Sequence, residues 1–274
     1  MLVAQISDLH IGISVDVDFR GDRATVDTAT ALAAAVSGLN NMATRPDVVV
    51  ATGDLVADGK VEEYQRFSEL VASLEIPLIL VPGNHDNRKA LRTVFEDASY
   101  LRSEIEACYY VIDNPSDPLR LVCLDTLVAD QHGGKLGEQQ LDWLDRTLAS
   151  SNKPVLIFMH HPPIRTGIPM FDEMGCSDGD RLGEIVEKYP QVLAIGCGHV
   201  HRPIHAMWNG AMLHVAPSAS YQYSLSMYEN SLIVPTLESP ACLLYHYQES
   251  KNLVVHHCET GSLPRLADIH GQSG

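Results

Sequence analysis

Short apolar runs recur along the first two hundred residues, and each stops at a cluster of small and polar side chains. Leu2 to Ser7, Asp47 to Thr52, Ile76 to Pro82, Pro154 to Met159 and Val192 to Cys197 are such runs, rich in Val, Ile and Leu. Apolar runs this short, bounded by Pro, Gly or Asp, read as buried strands. Between them, Val61, Tyr64, Phe67, Leu70, Val71 and Leu74 fall near helical spacing and predict a helix over 61–74. Ala24 to Asn41, rich in Ala and Leu and free of Pro, predicts another. Shorter helices are expected over Arg88 to Phe95, Gln139 to Leu148 and Asp180 to Lys188. The stretch between His10 and Asp22 is read as a polar, glycine-containing connection.

Tyr109 to Asp113 and Leu119 to Asp125 form a strand pair around the turn residues Asn114 to Pro118. After His201 the character changes. Strand-like pieces (Ala211 to Ala216, Cys242 to Tyr247, Leu253 to His257) surround a Tyr-rich loop, Tyr221 to Tyr228. Short buried strands alternating with helices predict a layered α/β fold. The expected organisation is a core over 1–217, joined by later strands from 240–258, and a C-terminal cap or oligomerisation segment over 218–274. The polar tail from Gly261 is expected to order only through contact with something else.

Composition narrows the function classes. Apolar residues make up 45% of the 274, enough for a sizeable core, and the formal charge is −16. Phosphate-backbone binding needs clustered Lys and Arg, so polymeric nucleic acid is not an expected partner. Small phosphates remain accessible if bound cations reverse the field locally. The first residues carry neither a basic segment nor a long apolar one, and no run approaches the ~18 residues of a membrane span. The six cysteines are scattered without a Cys-x-x-Cys pair, which fits reduced core thiols. A cytoplasmic location is expected.

The strand ends carry the chemistry. They present Asp8 and His10, Asp54, Asn84 and His85, His160 beside His161, and His199 and His201. Taken singly, each is ordinary turn chemistry, because Asn and Asp suit turns and Gly-Asp is a common turn pair. Together, five of the thirteen histidines and three acid or amide groups fall at the edge where open α/β sheets place their sites. An extended backbone would send residues i and i+2 to one side, so Asp8 with His10, and His199 with His201, can each reach one ion. Asp54 can bridge two ions through its two oxygens. Imidazole, carboxylate and amide donors without thiolate suit two divalent ions from Mn, Fe, Co or Zn.

Asp8-Leu9-His10, Gly53-Asp54, Gly83-Asn84-His85-Asp86, His160 and Gly198-His199-Val200-His201 resemble, in order, the motif set of the calcineurin-like metallophosphoesterases. Within that superfamily the chain looks most like the bacterial class III cyclic-nucleotide phosphodiesterases and glycerophosphodiesterases. Supporting matches are Leu124-Asp125-Thr126, Gln140 to Leu144 and Met159 to Pro163, and coverage runs to about residue 217. The resemblance implies a four-layer αββα sandwich with a small C-terminal β-rich cap. It implies that Asp8, His10 and His201 bind one metal, that Asn84, His160 and His199 bind a second, and that Asp54 bridges them. His85 would act at the substrate phosphate or the leaving group, and Asp86 would orient its imidazole. The implied reaction is hydrolysis of small phosphodiesters, such as cyclic AMP or glycerophosphodiesters, by attack of a metal-activated hydroxide. Relatives with such C-terminal segments are commonly dimers or larger, so a homo-oligomer is expected.

The resemblance thins beyond Pro217. Glycerophosphodiesterase-like relatives place a His where Tyr221 stands here, so their substrate preference does not carry over; Tyr221, with Tyr223 and Tyr228, is weighed as stacking on a base or capping a pocket against an exposed subunit contact, and His132 as a substrate contact against an exposed loop residue. His161 is read as structural, since neighbours on a strand point to opposite sides. A phosphomonoesterase on the same site is the alternative within enzymes, with Arg165 and Arg202 the basic residues nearest the late motifs. A catalytically inactive metal-binding scaffold is the alternative from another class, and all seven ligand positions being present argues against it. Gly-x-Ser-x-Gly is absent. Gly53 to Lys60 fails as a phosphate loop, because its glycine spacing is one too long and Val61 stands where a metal-binding hydroxyl belongs.

Overall fold

The structure is a computed structural model and describes residues 1–19, 22–102, 105–229 and 231–260. Its elements in chain order begin with β1 (Leu2–Ile6), β2 (Ser14–Phe19), β3 (Asp22–Asp27), α1 (Thr28–Asn40), β4 (Val48–Thr52), α2 (Val61–Val71), β5 (Leu78–Val81) and α3 (Arg88–Val94). Next come β6 (Tyr110–Ile112), β7 (Arg120–Cys123), α4 (Glu138–Ala149), β8 (Val155–Phe158), α5 (Pro169–Asp172), α6 (Gly179–Glu187) and β9 (Val192–Cys197). The last are β10 (Ile204–Trp208), β11 (Ala211–Val215), β12 (Gln222–Tyr223), β13 (Pro235–Thr236), β14 (Ala241–Tyr247) and β15 (Leu253–Glu259).

Two mixed sheets face each other. The first runs β15-β14-β1-β4-β5 and the second β10-β11-β9-β8-β7-β6. Within them β1, β4 and β5 are mutually parallel, as are β7, β8, β9 and β11, while β14 and β6 pair antiparallel with their neighbours. The period-2 alternation of strands divides the side chains between layers. On β8, Leu156 and Phe158 join the core shared by the two sheets and α1 to α3. Val155 and Ile157 point the other way, against Leu144 of α4 and Leu182 of α6. The result is the four-layer αββα sandwich, with α1 to α3 outside the first sheet and α4 and α6 outside the second.

A polar bridge crosses the apolar interior. Gln5 donates from Nε2 to Thr52 Oγ1 and to the carbonyl of Cys197 in the other sheet, each at 2.8 Å, and its Oε1 accepts from Tyr245 at 2.7 Å. All its polar atoms are satisfied, so burying it carries little penalty, and it fixes how the sheets register.

Three expectations change. The stretch after His10 is an antiparallel hairpin, β2 with β3, rather than a loop. The first helix therefore begins at Thr28, where the Asp27 carboxylate accepts from Thr30 N at 3.0 Å as its N-cap, and Ala24 to Asp27 are strand. In the Tyr-rich loop, Gln222 and Tyr223 pair with Thr236 and Pro235 as a small ribbon, and this lies against β2. The strands β14 and β15 belong to the first sheet. The tail from Gly261 lies outside the described residues.

Candidate metal centre

The candidate ligands follow the C-terminal ends of five parallel strands, β1, β4 and β5 from one sheet and β8 and β9 from the other. Their backbones leave the extended region at once: φ is 55° at Asp8, 46° at His10, 48° at Asp54, 73° at His199 and 52° at His201. Left-handed backbone costs non-glycine residues free energy and is held here by surrounding bonds. Asp8 N donates to Gly53 O at 3.1 Å and His10 N to Asp54 O at 2.8 Å. Convergence of Asp8 with His10 thus comes from a left-handed turn and not, as the spacing suggested, from extended chain. At Gly83 and Gly198 a side chain has no room, because a Cβ would collide with Asp54 at the first and with Ser7 and Asp8 at the second.

Ring orientation is set by carbonyls. Nδ1 of His160 donates to Thr52 O and Nδ1 of His201 to Tyr221 O, both at 2.8 Å, and Nδ1 of His85 donates to Ala57 O at 2.7 Å. In the neutral ring each Nε2 is then a bare lone pair. These lone pairs converge on other acceptors. His10 Nε2 lies 3.0 Å from His201 Nε2, which is 3.4 Å from Asp8 Oδ1. His160 Nε2 lies 3.2 Å from Asn84 Oδ1 and 3.3 Å from Asp54 Oδ2. His199 Nε2 is buried without a hydrogen-bond partner. Asp54 Oδ2 is also 3.7 Å from His10 Nε2, so it faces both groups. Its Oδ1 accepts from His85 N at 2.9 Å, so any bridging falls to one oxygen rather than two.

Acceptors packed against acceptors in a dry site repel unless a cation lies among them, and this donor set fits divalent ions. Burial outweighs the opposing Asp54 and Asp8 carboxylates and, with His201 and His85 adding to it, pulls His10 down to about 3, and burial holds His199 well below the ordinary imidazole range. Asp8 and Asp54 are lowered: burial opposes ionisation, but the facing imidazoles, His201 at Asp8 and His160 at Asp54, outweigh it. Neutral imidazoles and ionised carboxylates are the ligating forms. Burial also works against the His160 imidazolium, yet the Asp54 carboxylate prevails and raises it to about 9, a proton standing where a cation would.

The remaining expected residues divide. Asp86 does not touch the His85 ring. Its carboxylate accepts from Gly83 N at 2.8 Å, Leu55 N at 3.2 Å and Tyr64 Oη at 2.8 Å, so it holds the loop, and the Ala57 carbonyl orients the imidazole. His132 lines the cavity over the ligands, its ring centroid 6.4 Å from that of His85. Tyr221 does not line that cavity; it is buried behind the ligands, 4.8 Å from the His201 ring and 5.7 Å from that of His10. Tyr223 is the tyrosine facing the space. His161 engages both nitrogens, with Thr126 Oγ1 at 2.7 Å and His132 O at 2.9 Å, leaving no lone pair for an ion. Met170, Phe171 and Met174, which no motif announced, form a wall of the cavity.

Residues 1–203 match the family model described as calcineurin-like phosphoesterase. This chain belongs to the calcineurin-like phosphoesterases. Over 276 aligned residues it is 33% identical to the "Probable glycerophosphodiester phosphodiesterase GpdQ" of Arcobacter nitrofigilis, covering 100% of this chain and 98% of that one. It is 30% identical to the 3′,5′-cyclic adenosine monophosphate phosphodiesterase CpdA of Escherichia coli, over 81% of this chain and 77% of that one. A dimetal phosphatase from Danio rerio shares the fold at 18% identity, with a TM-score of 0.72 over 95% of this chain and 96% of that one. In this calcineurin-like phosphoesterase, no helix among the described residues is long and apolar enough to cross a membrane.

Proposed function

We propose that the chain is a dinuclear metal-dependent phosphodiesterase acting on small phosphodiesters, the class to which cyclic nucleotides and glycerophosphodiesters belong. Asp8, His10 and His201 would hold one ion and Asn84, His160 and His199 the other, with Asp54 facing both groups. Two such ions supply charge neutralisation at the phosphoryl oxygens and a nucleophilic hydroxide at neutral pH. Mn, Fe, Co and Zn all suit the donors. His85 is held by Ala57 with a ring nitrogen within 4.8 Å of donor atoms on His10 and Asp54. From there its protonated form gives a proton to the departing alkoxide, a step worth ~10²–10⁴-fold.

The observation that carries the diester over the monoester is the charge of the cavity wall. No Lys or Arg is among the described residues that line the space over the candidate ligands, and Arg88, Lys89 and Arg92 line only the adjoining cavity beyond His85. A phosphomonoester carries a second negative charge near neutral pH, a diester only one. Arg165 is 84% exposed at its side chain and leans on Asp172 at 3.6 Å. Arg202 is engaged by the Tyr223 carbonyl and by Glu238 at 2.9 Å. Neither is free to meet the extra charge.

The test compares bis(p-nitrophenyl) phosphate with p-nitrophenyl phosphate on chelator-stripped protein as each metal is restored. Diester turnover should return with metal and fall by at least about 100-fold in Asn84→Ala. A preference for the monoester would transfer the assignment to a phosphatase. Two bound ions without turnover of either compound would favour the scaffold.

A further inference from the structure

The hairpin β10–β11 carries a second cluster of metal-ligating side chains, outside the strand-end loops that hold the first. It reads His-x-Met on β10, as His205 and Met207, and Met-x-His on β11, as Met212 and His214. The register pairs His205 with His214 and Met207 with Met212. Asn209 and Gly210, at φ 47° and 83°, form a two-residue turn closed by Trp208 and Ala211 as a hydrogen-bonded pair. Hydrogen-bonded and free pairs alternate from there, so the His pair and the Met pair both fall at free positions, where facing Cα atoms stand only about 4.5 Å apart. Period 2 puts all four side chains on one face. That face is turned to the first sheet: Met212 packs against the core shared by the sheets, and the His214 ring stands perpendicular to that of Tyr245 on β14 at 5.6 Å.

His205 Nδ1 lies 2.7 Å from His214 Nδ1, so the two atoms share one hydrogen. His214 is buried, and its Nε2 has no hydrogen-bond partner. Burial, with His257 of β15 adding to it, lowers the His205 imidazole, and burial with His205 adding to it pulls His214 down to about 4, so both rings are neutral at pH 7. A cation in place of the shared hydrogen would meet a lone pair from each ring. The neighbouring pair adds two thioethers, and long side chains reach one another across such diagonals. Residues 204–215 contain no carboxylate and no thiol. Thioether with imidazole and no oxygen anion is a soft donor set, unlike the carboxylate-rich one at the dinuclear centre. β10 is the edge strand of its sheet, and His205 and Met207 are exposed, which gives an ion a path from solvent. We propose that His205, Met207, Met212 and His214 form a second metal site, which takes one soft monovalent cation, Cu(I) or its analogue Ag(I). This inference is independent of the phosphodiesterase reading, whose failure would leave it standing.

The test is a titration of zinc-loaded protein with Ag(I), followed by NMR of methionine methyl groups labelled with carbon-13. Cys176 and Cys258, the half-buried thiols, are replaced by Ser so that they do not compete for the ion. Of the eight methionine signals, those lost in Met207→Leu and in Met212→Leu identify the pair. Both should move with the first equivalent of Ag(I), while those of Met170 and Met174 at the dinuclear centre stay in place. His205→Gln, at an exposed edge position, should weaken Ag(I) at least about 10-fold in competition with a soluble chelator, the cost usual even for a group one step removed from a metal. Met207→Leu should weaken it by a similar factor. Met207 and Met212 signals that ignore Ag(I), or an affinity unmoved in both variants, would overturn the site. Zinc moving the same two signals as strongly as Ag(I) would overturn the soft-ion assignment.

Discussion

At the scale of single residues, Tyr64 is the least obvious contributor to the site. It is buried in α2, donates to Asp86 Oδ1 at 2.8 Å and accepts from Asn87 N at 2.8 Å. Burial pushes its phenol far above the ordinary range, so it remains a neutral donor. Burial, reinforced by the Asp54 charge, raises Asp86 to about 7, which makes a steady donor beside it valuable. Tyr64→Phe removes one hydroxyl and leaves a buried carboxylate oxygen and an amide short of a partner. The expected cost is about 1–3 kcal/mol in urea denaturation. Because the same loop carries Asn84 and His85, kcat should fall by about tenfold with little change in KM, a small misplacement of catalytic groups. Unchanged kinetics in a destabilised variant would confine Tyr64 to folding. Asp86 illustrates what sequence conveys at this scale. The family resemblance implied that it orients the His85 imidazole, yet its oxygens go to backbone amides and to Tyr64. The groups that orient the rings are carbonyls of Thr52, Ala57 and Tyr221, and a carbonyl has no residue signature. The candidate ligands were legible as a set because each follows a short apolar run that reads as a buried strand.

At the scale of elements, the hairpin β2–β3 and the start of α1 were misread for one reason. Ala24, Thr25 and Val26 tolerate either state, and helix propensity is a weak prior that strand pairing overrides. The period-2 alternation is present in Val15-Asp16-Val17-Asp18-Phe19. The true helix start was also written, as Asp27 directly before Thr28 and three residues before Thr30. This boundary matters to the site. Thr28 Oγ1, the first residue of α1, donates to His10 O at 3.0 Å and to Ile13 O at 2.8 Å, tying the helix to the loop that presents His10. The Asp27 carboxylate accepts from both Thr30 N and Thr30 Oγ1, which holds it below its usual range. Asp27→Ala should therefore cost about 1 kcal/mol of stability. Chemical denaturation measures this, and turnover of the metal-loaded protein should be retained, since Thr28 keeps its own bonds. A loss of metal affinity alongside stability would show that the cap also fixes the His10 loop.

At the scale of the whole molecule, the candidate ligands divide between the sheets. Asp8, His10, Asp54 and Asn84 come from the first, and His160, His199 and His201 from the second. No ligand set exists without both sheets in place, because Asn84 with His160, and Asp8 with His201, meet only across the sandwich. Ions bound there would stabilise the folded chain alone, so that their binding free energy would become folding free energy. Beneath them the bridge from Gln5 to Cys197 and Tyr245 holds the same two layers without metal, so the stripped protein should stay folded. At free metal 100 times the dissociation constant, linkage adds about 2.7 kcal/mol per site. For a chain of this size that corresponds to roughly 5–10 °C in Tm. Thermal unfolding with and without chelator measures the shift, which should follow the logarithm of free metal. Asn84→Ala should keep the metal-free Tm and show a smaller metal-induced rise, because one ligand set has lost its amide oxygen. A Tm indifferent to chelator would mean that the converging acceptors hold protons rather than ions, with His160 and Asp54 sharing one, and the dinuclear assignment would fall with it.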